Sequence, residues 1–96
     1  MGFNRTLTES ITVSTEVYSP TAATGTVIGM SITSRTTVAT VDILVGTTYL
    51  VKGLVVAAGT AAMPVGGMQK LVLVTSDSLK VVSDTAVDVI VSFLEG

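Results

Sequence analysis

Residues 71–94 read LVLVTSDSLKVVSDTAVDVIVSFL, and this stretch decides the fold class. Its valine-rich runs, at residues 70–74, 78–82 and 86–94, are separated by TSD and SDT, polar triplets of a composition that forms turns. Short strands joined by short turns are typical of an antiparallel meander. The stretch therefore predicts three strands that pair in the order in which they occur.

The last of these runs is apolar on more than one face. Alternation places one set on the core side, namely Val87, Val89, Val91 and Phe93. The opposite set, Asp88, Ile90, Ser92 and Leu94, is half apolar, although a face turned to water is normally more polar. This second face is therefore predicted to contact another chain or the N-terminal residues, and the candidate assembly surface is Phe3, Leu7, Ile90 and Leu94.

Upstream of this stretch, period-2 alternation predicts a strand at residues 11–17, which ends before Pro20. A second strand is predicted at residues 26–33, in which Gly29 marks either a bulge or a close backbone approach. The polar residues 34–37 suit a hairpin to a third strand at residues 38–45, with alternate residues from Ala39 to Val45 facing inward.

The middle of the chain is rich in small residues. Two short strands are predicted at residues 49–52 and 54–58, separated by Gly53. A helix over residues 54–63 is a less favoured alternative, because the alanines support it whereas the adjacent valines and Gly59 oppose it.

Counted along the chain, about eight short strands with regularly spaced turns are typical of a sandwich or small barrel. The prediction is a single-domain antiparallel β-sandwich, jelly-roll or Ig-like, over residues 11–96. Residues 1–10 are predicted as a possible extended N-terminal arm.

The composition indicates that much of the surface of this chain is buried against other chains. Of its 96 residues 48 % are hydrophobic and 12 % are charged, about half of the ~25 % charge usual in soluble domains. The longest apolar tract, residues 54–65, is broken by glycine and proline and is far shorter than a membrane-spanning helix. The excess apolar surface therefore predicts self-association, as a homotrimer or a larger assembly, and no contact with a membrane.

Several classes of chemistry lack the residues they need. The chain has no histidine and no cysteine, which excludes Ser-His-Asp and Cys-His arrangements and thiolate metal sites. Its basic residues are scattered and its net charge is −2, so nucleic-acid binding is not predicted. Asp77, Asp84 and Asp88 come nearest to a cluster, but turn and strand-end roles explain them better than a shared Ca²⁺. We therefore expect no enzyme activity, cofactor or metal.

Sugar binding is an alternative of another class. The many serine and threonine side chains could hydrogen-bond a carbohydrate, but a sugar ring usually stacks on an aromatic side chain. Tyr18 and Tyr49 are the candidate ligand-contacting residues on this hypothesis.

The last three quarters of the chain resemble small virion proteins of tailed bacteriophages. The resemblance covers residues 26–96 and lies mainly in TTYLVKGLVVAAGTAA, residues 47–62, and in GGMQKLVLVTSDSLKVVSDTAVDVIVSFLEG, residues 66–96. The shared pattern is a YLVK-like strand, a small-residue loop, a KLVL strand, an acidic turn and a closing SDTAxxVDV strand. Here Ser76-Asp77 stands where Gly-Asp is commoner, which still leaves a turn.

The resemblance implies a β-sandwich subunit present in many copies on a virion. The expected function is that of a capsid decoration or cement protein, which stabilises the particle by packing against copies of itself and against the major capsid protein. A neck, tail or baseplate subunit is the closest alternative. A receptor-binding or carbohydrate-binding module is the alternative from a different class.

Overall fold

The computed structural model describes the backbone of residues 2–65 and 70–95, and the side chains of residues 4–64 and 70–95. These residues form nine β-strands and no helix. The strands are β1 Gly2–Ile11, β2 Thr15–Tyr18, β3 Thr24–Ser34, β4 Ala39–Val45, β5 Thr48–Val56, β6 Ala61–Val65, β7 Leu71–Val74, β8 Leu79–Ser83 and β9 Val87–Glu95. The helix considered for residues 54–63 is therefore wrong.

The strands form two antiparallel sheets that pack face to face. Sheet A has the order β1-β9-β3, and both β6 and β7 pair with β3 on its other side. Sheet B has the order β2-β8-β4-β5. The all-β sandwich predicted from the sequence is thus confirmed, with nine strands where about eight were expected.

Buried β-branched residues from both sheets fill the space between them. Ile32 in β3 and Ile43 in β4 are fully buried, as are Val81 in β8 and Val91 in β9. The whole predicted core face of β9 is buried, and Ala39, Val41 and Ile43 face inward as predicted. Period-2 alternation therefore identified the inward sides of β4 and β9 correctly.

The predicted meander is wrong in its pairing, although its three strands exist. β7 pairs with β3 in sheet A, β8 lies between β2 and β4 in sheet B, and β9 returns to sheet A. Each short polar link therefore crosses from one sheet to the other. A strand with one apolar face buries that face equally well in either sheet, so the alternation does not distinguish a hairpin from a crossing.

Two other predicted connections also cross between the sheets. Residues 34–37, predicted as a hairpin, lead from β3 in sheet A to β4 in sheet B. The strand predicted at residues 11–17 is broken after Ile11, next to Ser10 with φ 55°, and resumes in sheet B at Thr15. Val13 in this crossing is 68 % exposed.

Bulges account for the two glycines that interrupt strand patterns. The pairing of β3 with β9 shifts register between Val27 and Gly29, which confirms the bulge alternative for Gly29. Residues 49–52 and 54–58, predicted as two strands, belong to β5 up to Val56. The chain passes through Gly53 with φ 74°, a conformation that side chains disfavour.

The first ten residues are extended, but they belong to the sandwich. β1 pairs antiparallel with β9 from Gly2 opposite Glu95 to Ile11 opposite Val87. The division into an arm and a domain therefore has to be corrected: the predicted arm is an edge strand of sheet A. In residues 2–65 and 70–95, no helix has the length and apolar character needed to cross a membrane.

Candidate assembly surface

The pairing of β1 with β9 brings the predicted assembly residues together. Leu7 lies opposite Ile90, and Phe3 lies opposite Leu94. Opposite residues of an antiparallel pair project from the same face, and this is the face turned away from Val89 and Val91 in the core. The side chain of Phe3 lies outside the described residues. Leu7 is 59 % exposed and Ile90 is 44 % exposed, so this pair presents apolar surface to solvent.

The same face continues across sheet A to its other edge. Leu94 lies opposite Thr26 of β3, and Thr26 lies opposite Val72 of β7. Val72 is 63 % exposed, and Val74 on the same side of β7 is 49 % exposed. We call this surface the apolar outer face and define it by Leu7, Val72, Val74, Ile90 and Leu94.

Val72 and Val74 were not predicted as surface residues. The run LVLV is apolar at every position, so its alternation does not show which side is buried. Only the pairing of β7 with β3 places Leu73 in the core and the two valines outside.

A charged cluster borders the apolar outer face where β9 begins. The Arg35 Nε donates to Asp88 Oδ2 at 2.7 Å, and the backbone N–H of Ser10 donates to Asp88 Oδ1 at 3.0 Å. These two donors lower the pKa of Asp88, with the Arg35 hydrogen bond as the larger cause. Asp88 raises the pKa of Arg35, to which the charge of Glu9 also contributes. The apolar outer face therefore ends in a paired, polar rim.

At the other end of β9, Glu95 fixes the loop after β2. Its Oε2 accepts a hydrogen bond from Tyr18 Oη at 2.8 Å. Its Oε1 accepts from Ala22 N at 2.8 Å, from Thr21 Oγ1 at 2.9 Å and from Thr21 N at 3.1 Å. These donors lower the pKa of Glu95, and the Ala22 backbone N–H is the largest cause. The ionised carboxylate thus joins the end of sheet A to the segment between β2 and β3.

We expect Glu95→Gln to lower the stability of the fold at neutral pH. We also expect the variant to lose less stability than the parent protein as the pH falls. A depressed carboxyl pKa stabilises the fold above the unfolded-state value of about 4.3, and that contribution is lost as the pH falls through the folded-state pKa. Melting temperatures from about pH 7 to pH 3 should therefore fall less steeply in the variant, since glutamine cannot ionise.

Tyr18→Phe provides the matched comparison for this prediction. It removes one of the donors to Glu95 and leaves those of Thr21 and Ala22. Its acid dependence should therefore lie between those of the parent and of Glu95→Gln. Parallel curves for all three proteins would contradict the role given to Glu95.

Tyr18 is a core residue, which corrects its prediction as a ligand contact. It is 4 % exposed and its ring stacks on Phe93, with 4.2 Å between ring centroids and 27° between ring planes. Burial, followed by the hydrogen bond to Glu95, raises its pKa. The alternation of the sequence gave no sign that this side chain would turn inward beside Phe93.

Tyr49 lies in β5, at the edge of sheet B opposite to β2, which carries Tyr18, and it lines a pocket together with Val72 of the apolar outer face. It is 49 % exposed, and the Lys52 ammonium lies 4.7 Å from its ring centroid. Lys52 also lies 4.0 Å from Asp42. Tyr49 lines an open pocket with Leu50 and Leu71. The structure therefore does not bring the two candidate ligand-contacting residues together.

The acidic residues that came nearest to a cluster serve different parts of the backbone. Asp77 Oδ2 accepts from Val74 N at 2.9 Å, and Asp84 Oδ1 accepts from Thr40 N at 2.9 Å. Asp88 is paired with Arg35. In the part of the chain that the structure describes, no three acidic side chains are grouped so that they could hold a metal ion.

Comparisons with protein-family models, with curated proteins and with solved structures found no match. The resemblance to phage virion proteins therefore stays a prediction. The apolar outer face, with its charged rim, is the feature from which function can be argued.

Proposed function

We propose that the chain is a non-enzymatic structural subunit of a tailed-phage virion, and specifically a capsid decoration or cement protein. The observation that carries this proposal is the apolar outer face, which presents Leu7 beside Ile90, and Val72 in the row of Leu94 at the other edge of sheet A. Contiguous exposed apolar surface marks sites of association in soluble proteins. The resemblance of residues 26–96 supplies the kind of assembly.

The subunit would act by covering this face at joints of the particle. Each Å² of apolar surface removed from water contributes about 25 cal/mol, and the effect is repeated at every copy. The partners are neighbouring copies of the chain and the major capsid protein. The Arg35–Asp88 pair at the rim determines how the partner is oriented and adds little net affinity.

A neck, tail or baseplate subunit would use the same apolar surface, so only the location on the particle separates it from a decoration protein. The carbohydrate-binding alternative loses support, because Tyr18 is buried and the Tyr49 ring is already approached by Lys52. Among the side chains of residues 4–64 and 70–95, Tyr49 is the one exposed aromatic residue that remains for stacking on a sugar.

The proposal predicts that electron microscopy of purified particles will find this protein on the outer surface of the head. Ile90→Asp should lower its incorporation several-fold, because it places a charge beside Leu7 within the apolar outer face. Val55→Asp is the matched control: Val55 is 62 % exposed but belongs to β5 of sheet B, so incorporation should not change.

Density on the neck, tail or baseplate would replace the decoration role with the alternative. Absence of the protein from particles would reject a virion role altogether. Equal incorporation of Ile90→Asp and Val55→Asp would reject the apolar outer face as the contact.

A further inference from the structure

The strand β1 is a long edge strand of sheet A. It pairs with β9 on one side, and no strand among residues 2–65 and 70–95 pairs with it on the other. Natural proteins usually protect such edges by shortening them or by placing proline or lysine on them. β1 is ten residues long and contains neither proline nor lysine. Its charged residues are Arg5 and Glu9, and its register with β9 shifts after Thr8, so another strand fits this edge where it places opposite charges beside these two residues.

The backbone groups that face this free edge can be identified from one hydrogen bond. The Arg5 N–H is accepted by Asn4 Oδ1 at 3.0 Å, so it is not bonded to β9. Backbone groups of alternate residues in a strand point to the same side, which places those of Leu7 and Glu9 on the free edge with those of Arg5. Glu9 lies between Thr8 and Ile11, the interval in which the register with β9 shifts.

The sequence of this edge is complementary to itself. The side chains of Arg5, Leu7 and Glu9 share the outer side of sheet A, because Arg5 and Leu7 lie opposite Ser92 and Ile90 and Glu9 is two residues further on. An antiparallel second copy with a two-fold axis at Leu7 places Arg5 opposite Glu9 of the other copy, twice. Leu7 then lies opposite itself.

Neighbouring registers are poorer. An axis at Arg5 places two arginines opposite each other, and like charges in this position are destabilising. An axis at Thr6 places Arg5 opposite Leu7 and leaves both charges without an opposite partner. A shift by an odd number of residues would bring bonded backbone groups of one copy against free groups of the other.

We propose that two copies of this chain pair through β1, antiparallel and with the two-fold axis at Leu7, so that sheet A continues from one copy into the other. A contact of this isologous kind closes as a dimer, which departs from the homotrimer expected from composition. The inference goes beyond the proposed virion role, since it concerns strand pairing at the edge of sheet A, where Leu7 is also part of the apolar outer face. It holds or fails without reference to a particle.

On its inner side β1 is bonded to the edge strand of sheet B. Thr6, whose side chain lies on the inner side of the strand, donates through Oγ1 to the Val17 carbonyl oxygen of β2 at 2.8 Å. The edges of the two sheets are thereby held together beneath the proposed contact. The hydrogen bond from Arg5 N to the exposed Asn4 side chain is exchanged when a second strand binds.

Charge reversal tests both the dimer and its register. Sedimentation of the full chain should give about twice the 9.8 kDa subunit mass. Arg5→Glu alone or Glu9→Arg alone places like charges opposite each other twice, which should raise the dimer Kd about tenfold or more. An equimolar mixture of the two variants should form a heterodimer of near-parental affinity, because both cross-strand pairs become attractive again.

Lys70→Glu is the control for Arg5→Glu, because it makes the same change in net charge at an exposed residue that precedes β7, at the opposite edge of sheet A. It should leave the dimer unchanged. Should either charge variant fail to fold, Leu7→Pro replaces it, since it removes an N–H from the free edge and leaves those directed at β9. Leu7→Pro should give a folded monomer.

The inference is overturned if the parent chain is monomeric at high micromolar concentration or forms a trimer. It is overturned equally if the parent is a dimer whose affinity is the same in the charge variants, or if mixing them restores nothing. A dimer that behaves as expected but is absent from virions rejects the proposed function and leaves this inference in place.

Discussion

Ile43→Ala is expected to cost about 3–4 kcal/mol of the free energy of unfolding, within the range of 2–5 kcal/mol for large-to-small changes in cores. Ile43 has no exposed surface and lies in the centre of sheet B, between β5 and β8. Its removal leaves a cavity between two rigid sheets that cannot collapse to fill it. For a domain whose total stability is about 5–15 kcal/mol, this loss brings the fold close to unfolding.

Urea unfolding, monitored by circular dichroism, measures this loss: the free energy of unfolding is obtained from the transition midpoint and from its linear dependence on urea concentration. Ile90→Ala is the matched control, because the same side chain is truncated on the apolar outer face, where Ile90 is 44 % exposed. It should cost about 1 kcal/mol or less, since no cavity forms. Equal losses in the two variants would contradict the assignment of inner and outer faces.

Gly25→Ala is expected to cost about 2–3 kcal/mol, at the upper end of the usual range for overpacking. A Cβ at Gly25 would lie 2.1 Å from Tyr18 Oη and 3.2 Å from Pro20 Cβ. Tyr18 cannot move aside freely, because it is stacked on Phe93 and bonded to Glu95. The added methyl group must therefore displace the tyrosine and break its hydrogen bond.

Gly29→Ala is the control on the same strand, because no atom lies within 4 Å of the position that its Cβ would take. It should change stability by less than about 0.5 kcal/mol. The double variant Gly25→Ala with Tyr18→Phe should be more stable than the sum of the single effects predicts, because removing Oη removes the closest clash. Strict additivity would show that the clash is relieved elsewhere.

Much of the local structure was predictable, because strand faces obey an exact period of two. The buried faces of β4 and β9 follow from alternation, and Gly29 marked either a bulge or a close backbone approach, of which the structure shows the bulge. The pairing of strands did not follow. The links before and after β8 decide whether this strand lies in sheet A or in sheet B. A link of a few polar residues can form a hairpin within one sheet or a crossing to the other.

The candidate site was predictable to the same extent. Ile90 and Leu94 share a face by alternation alone, and β1 happens to place Leu7 and Phe3 opposite them. The role of Glu95 was not foreseen, since its partners Tyr18, Thr21 and Ala22 lie more than 70 residues earlier in the chain. Tyr18 was misjudged for the same reason: its burial depends on Phe93.

The central position of β9 in sheet A has a consequence for the order in which the protein is made. Among residues 2–65 and 70–95, β9 is the one strand with which β1 pairs, and nearly the whole chain separates the two strands. A ribosome therefore releases the first strand long before its partner exists, and contacts between such distant segments form slowly. Until β9 emerges, β1 is not yet held in a sheet and presents no ordered edge. The proposed dimer can then form only after β9 has been synthesised. Nascent chains on the same mRNA are therefore kept from pairing with one another through β1.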